Sequence, residues 1–189
     1  MAISRRRLAL RNEIYLSVVW MVFISLVEVF NALIDHRLNY YGIYPRTTEG
    51  LVGIIVSPIL HSDSVHLVSN VLPLGVFMVL VMQHGIVRFW LATFVIILIG
   101  GGLVWLLGRD AIHIGASGLI FGYFSFLIIA GIRSGDLKLI AIAIAVGLGY
   151  GSILIGLDPR QLTVSWEAHL FGLLAGILAA VWLSTKKTS

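Results

Sequence analysis

Apolar positions fall into six long runs separated by short polar or charged breaks, at roughly 14–34, 51–82, 89–107, 111–132, 137–157 and 166–183. A helix of about 20 apolar residues spans the ~30 Å hydrocarbon core of a bilayer. The pattern therefore predicts an all-α, polytopic membrane bundle of six transmembrane helices. The second run is too long for one crossing, and its polar stretch "SPILHSDSVH" predicts a re-entrant or loop-like lead-in before the helix proper near His66. Non-helical backbone at membrane depth must be sheltered by protein or water, because hydrocarbon offers peptide groups no partners.

Composition agrees. Of 189 residues, 59% are hydrophobic and 12% charged, and the mean hydropathy of +1.00 excludes an ordinary soluble domain. Cysteine is absent, which rules out disulfides and thiolate metal sites. The net charge of +4 sits in short basic clusters beside the apolar runs, as in loops flanking membrane spans, so nucleic acid is not the expected partner. The opening "RRRLALR" precedes a run longer than a signal-peptide core and without a small-residue cleavage pattern, so it reads as a retained first span. No linker, low-complexity stretch or repeat period interrupts the chain, and residues 1–189 read as a single membrane domain.

Six spans place both termini on one side. That side carries Arg5, Arg6, Arg7, Arg11, Arg88, Arg133, Lys138, Lys186 and Lys187, against Arg37, Arg46, Arg109 and Arg160 on the other. The excess predicts cytoplasmic termini under the positive-inside rule.

Polar residues inside spans are costly and mark functional sites by default. They are Glu28, His61, His66, Asn70, Ser117 and His169. Counting to each inner boundary at 1.5 Å per residue sets Ser117 about 24 Å, His169 about 21 Å and Asn70 about 18 Å above the inner edge. Three spans distant in sequence thus bring polar side chains to one layer in the outer half of the membrane. Gly118 and Gly122 share the small-xxx-small spacing of Gly172 and Gly176, which lets two membrane helices approach closely. His169 lies on its glycine stripe and Ser117 beside the other. If the stripes pack, the hydroxyl and imidazole come within hydrogen-bond reach, as a histidine base and serine nucleophile require. His66 and Asn70, four apart, share a face and could donate to one oxyanion, together with the amides of Gly115, Ala116 and Ser117 at a helix start.

"GASG" with a downstream "AHLFGLLAG", an upstream "HSDSVHLVSN" and the outer-loop "GIYPR" resembles the rhomboid intramembrane serine proteases, in the order found among bacterial members. The resemblance spans roughly residues 41–182. It implies a catalytic dyad of Ser117 and His169, an oxyanion hole lined by Asn70 and His66, and Phe121 stacked on the His169 ring where many relatives have tyrosine. It implies transmembrane protein substrates that enter sideways from the lipid bilayer, and a multi-pass location in the bacterial cytoplasmic (inner) membrane. No cofactor or metal is expected, and the oligomeric state is left open.

Other readings are weaker. There is no H-E-x-x-H or G-x-G-D signature for a metallo- or aspartyl protease. Inverted repeats expected of a small transporter are absent from the pattern, and a non-proteolytic client-binding relative would not need the dyad. Asp63, Asp110 and Glu167 are possible third members of a triad, with a dyad the simpler expectation. Glu28 is expected to bond a neighbouring helix, His61 to shape the wet pocket, and His84 and His113 to sit in loops or interfaces. Gly147, Gly149 and Gly151 would let span 5 bend as the wall of a lateral gate.

Overall fold

The computed structural model describes residues 2–161 and 163–183, and of residues 2–6 only the backbone. Of the charges counted above, Lys186 and Lys187 lie outside the described residues. Helix α1 is Ala2–Leu33, α2 Ser64–Met82, α3 Ile86–Leu107, α4 Ser117–Arg133, α5 Leu137–Tyr150 and α6 Trp166–Leu183. Five are long and apolar enough to cross a membrane, α5 counted through its 3-10 extension to Leu157. Helix α4, with 17 residues, is shorter at about 26 Å. Among the described residues the only β pairing is one antiparallel bridge, Ile43 with His113. The bundle is an integral membrane fold of the expected all-α kind.

Boundaries differ from the apolar runs where local chemistry overrides hydropathy. Helix α1 starts at Ala2, well before the apolar run, because the arginines and leucines of "RRRLALR" are good helix formers. The lead-in to span 2 is a set of short turns between Glu49 and Ile59, followed by a loop that ends where Asp63 caps α2 by accepting the His66 N–H at 2.8 Å. Span 3 begins at Ile86 and widens to a π-helical turn over Ile96–Gly100. Span 4 is corrected at its start: residues 111–116 are not helical. They are held by the bridge to Ile43 and turned by Gly115 at φ 111°, so the helix begins at Ser117 itself.

Helix α4 is buried on most sides, the mark of a central helix. It meets α6 backbone to backbone. A Cβ on Gly172 would overlap the Gly118 carbonyl oxygen, and one on Gly176 the Gly122 carbonyl oxygen. The two glycine stripes therefore pack as their spacing predicts, and Ser125 adds a bond by donating to the Leu173 carbonyl at 2.7 Å. At the end of the bundle away from Ser117, Gln83 donates to Glu13 and accepts from Lys138 at 2.6 Å, while Arg88 Nε donates to the Leu183 carbonyl at 3.1 Å. These bonds join α1, α5, α3 and α6 there. Helix α5 is close to α4 at that end, where a Cβ on Gly131 would lie 2.7 Å from the Leu139 carbonyl, but a Cβ on Gly149 at its other end, or on Gly151 just beyond, would meet nothing within 4 Å.

Candidate active site

The start of α4 is built from small residues for steric reasons. Gly115 adopts a positive φ that only glycine takes without strain, and a Cβ there would sit 2.6 Å from His66 Nε2. Its N–H donates to the Ser57 carbonyl at 2.9 Å, fixing the turn that delivers Ser117 as first residue of α4. No side chain caps this end. The first-turn N–H groups, which have no intrahelical partners, and the positive end of the helix dipole are thus left facing the Ser117 hydroxyl's surroundings.

His169 is the fourth residue of α6 and is buried. Its Nε2 lies 2.8 Å from Ser117 Oγ and its Nδ1 lies 2.7 Å from the Gly156 carbonyl oxygen. A carbonyl can only accept, so Nδ1 carries the hydrogen; a neutral ring then offers Nε2 as acceptor for the Ser117 hydroxyl. Phe121, one turn below Ser117, lies parallel to the imidazole at 4.2 Å and 5°. Backbone packing of the glycine stripes is what brings these groups together.

His66 and Asn70 line the same cavity of about 840 Å³ as Ser117 and His169. Asn70 Nδ2 donates to the His66 carbonyl at 2.8 Å and lies 3.4 Å from Ser69 Oγ, while its buried Oδ1 has no partner among the described residues. The His66 ring is bonded to Ser62 Oγ at 3.1 Å. Ser62, Asp63, Ser69 and Arg109 add polar groups to the cavity wall. The His66 N–H and the Ser62 hydroxyl hold the exposed Asp63 carboxyl below its ordinary range.

Several side roles are corrected. His61 does not itself line the pocket: it is fully buried behind His66, edge-on to it at 5.0 Å, and borders the cavity only through that ring. Glu28 bonds not to a neighbouring helix but to His36 at 3.0 Å, in the turn that follows its own helix. Asn31 links that group to Asn39 at 2.9 Å, and Asn39 donates to the His61 carbonyl at 3.0 Å, so the network braces the loop above α2. His113 and His84 do lie in connections between helices, and both are buried. His113 bridges Ser165 Oγ at 2.6 Å and the Arg109 carbonyl at 3.1 Å. None of the three carboxylates weighed as a third member orients His169. Asp63 caps α2, Asp110 pairs with Arg46, and Glu167 pairs with Arg109 at 3.6 Å. The group that meets Nδ1 is the Gly156 carbonyl, which sequence reasoning missed; its only trace was one more glycine near the end of span 5. Among the described residues no three His, Asp or Glu side chains come together to hold a metal ion.

An integral membrane bundle with a serine and a histidine bonded between two of its helices defines a narrow class. The chain belongs to the rhomboid family: the family's Rhomboid domain model matches residues 48–186. Members of that family are in general intramembrane serine proteases. Similar sequences are mycobacterial. The uncharacterized protein Rv1337 of Mycobacterium tuberculosis is 40% identical over 174 residues, covering 87% of this chain and 72% of that one. The uncharacterized protein ML1171 of Mycobacterium leprae is 37% identical over 177 residues, covering 87% and 69%.

Proposed function

We propose that the protein is a serine endopeptidase that cleaves transmembrane segments of other membrane proteins near the outer membrane face. The observation that carries this reading is the 2.8 Å contact between Ser117 Oγ and His169 Nε2, with Nδ1 already committed to the Gly156 carbonyl. Ser117 attacks the scissile carbonyl carbon while its proton passes to Nε2. The same proton goes to the leaving amine as the peptide C–N bond breaks, leaving an acyl-serine; water, deprotonated by His169, then releases the acid and restores the serine.

Charge that develops on the carbonyl oxygen is met by the Ser117 N–H at the start of α4. His66 and Asn70 complete the cradle from the opposite wall, Asn70 with the amide hydrogen held only by the long 3.4 Å contact to Ser69. The polar rim of Ser62, Asp63 and Ser69 supports a path for water to the cavity. Substrate enters sideways, between α2 and the loosely packed end of α5, in the cytoplasmic membrane of a bacterium with both termini in the cytoplasm.

A fluorophosphonate probe tests the dyad. The folded wild type is expected to label, Ser117→Ala not at all, and His169→Ala about a hundredfold or more slowly, since general-base assistance contributes 10²–10⁴. A folded wild type that never labels sinks the protease reading and favours a non-proteolytic client-binding protein. For the gate, Phe77 and Tyr150 meet edge-on at 4.8 Å, and cysteines at both positions can be cross-linked cleanly in a chain that has none of its own. Cross-linking is expected to stop cleavage of a transmembrane substrate; unchanged cleavage would remove the gate.

A further inference from the structure

A serine hydrolase with a full triad fixes its base with a buried carboxylate, which holds the imidazole in the tautomer that can accept the serine proton. Here the carboxylates around the dyad are engaged elsewhere, and a backbone carbonyl stands in that place. We propose that Gly156 is the positioning residue for His169, and that through it the state of the base depends on where the far end of α5 sits. The proposal rests on the dyad and the gate proposed above.

Three observations support it. First, the Gly156 oxygen meets Nδ1 at 2.7 Å, and as an acceptor it selects the ring with hydrogen on Nδ1 and a free pair on Nε2. Second, a side chain at residue 156 would crowd the dyad. A Cβ would lie 3.0 Å from His169 Nδ1 and 3.1 Å from Phe121 Cζ, so the imidazole and the ring stacked on it would both have to shift. Third, Gly156 belongs to the 3-10 segment Gly151–Leu157, none of whose residues is fully buried. It continues the least buried span, at 11% of its apolar window against 44% for α2.

Admission of a substrate helix beside α5 moves that segment outward, and the carbonyl moves with it. The neutral ring is then free to carry its hydrogen on Nε2, where it faces the Ser117 hydroxyl as a donor and cannot take a proton. When α5 returns, Nδ1–H is captured again and Nε2 is restored as acceptor. During attack the serine proton arrives at Nε2 while Nδ1–H stays on the Gly156 oxygen, so both hydrogens of the imidazolium have partners. Bond cleavage is thereby confined to the state in which the gate has closed behind the substrate.

The test uses the full chain in lipid nanodiscs. Fluorophosphonate labelling rates are compared for wild type, Gly156→Ala and Gly151→Ala, with thermal unfolding to verify the fold. The His169 tautomer is read from ¹⁵N imidazole shifts, assigned by difference from His169→Gln. Gly156→Ala is expected to label about ten to a hundred times more slowly, with a mixture of neutral tautomers, since a misoriented base forfeits most of its contribution. Gly151→Ala, which puts a methyl in the same segment where nothing lies within 4 Å, is expected to label within about twofold of wild type and keep Nδ1–H. A Gly156→Ala protein that labels like wild type overturns the proposal, as does one that slows with its Nδ1–H tautomer intact. If Gly156→Ala does not fold, the wild type decides alone: a neutral His169 with its hydrogen on Nε2 is fatal. A folded wild type that never labels is a different failure, that of the dyad itself.

Discussion

Glycine is used in opposite ways on the two sides of this bundle. Between α4 and α6 it removes side chains so that two backbones touch, with Gly172 against Gly118 and Gly176 against Gly122. At the far end of α5 and just beyond it, a Cβ on Gly149 or Gly151 would meet nothing within 4 Å. The first arrangement fixes the distance between Ser117 and His169; the second lies on the side of the proposed gate. Lipid gives no hydrophobic incentive for helices to associate, so close van der Waals packing has to hold α4 against α6.

The largest expected effect comes from breaking the tight side. Gly172→Val drives a branched side chain into the Gly118 carbonyl, which both helices can relieve only by separating. Labelling by a fluorophosphonate should vanish and the thermal midpoint should collapse; a variant that labels at the wild-type rate would show that the backbone contact does not set the dyad.

Next comes acid. Burial, then the charges of Arg88 and Lys138, depress His84 from its ordinary value near 6.5 to about 4. The unfolded chain therefore takes up a proton in that interval that the folded chain refuses, so stability present above pH 6.5 is lost as pH falls toward 4. Thermal unfolding at pH 7.5 and 5 measures it, and His84→Gln should flatten the difference. Equal midpoints for the wild type at both values would contradict it. His84 follows Gln83, which accepts from Lys138 of α5, so this loss falls at the end of the bundle away from Ser117.

A smaller effect is expected of Ser125→Ala, which removes the bond from α4 to the Leu173 carbonyl and should cost about 1 kcal/mol in an unfolding titration. The smallest is at the loose side. Gly149→Ala adds a methyl to open space and should change stability by no more than about 0.5 kcal/mol. A loss as large as that of Gly172→Val would erase the contrast between the two sides.

Much of this was legible in the chain. Span 6 coincides with its apolar run because its two polar residues, Glu167 and His169, fall in the first turn and no breaker follows, and the glycine stripes could be matched because a four-residue spacing is a local property of a helix. The start of span 4 was less legible, since residues 111–116 are apolar enough to read as helix and it is the bridge from His113 to Ile43 that draws them out. His61 and Glu28 were misjudged for a related reason. Their partners, His66 and His36, are close in sequence, but turns rather than helix periodicity bring them together.

By itself the sequence determined the six apolar runs, the membrane as solvent, and the two glycine faces that had to meet, because each follows from side-chain chemistry at fixed helical spacing. Only the tertiary structure decided what orients His169. Three carboxylates were visible candidates, and the group that reaches Nδ1 is a peptide oxygen. Every residue carries such an oxygen, so no residue type announces it; what selects Gly156 is the absence of a side chain at the one place where the end of α5 crosses the imidazole.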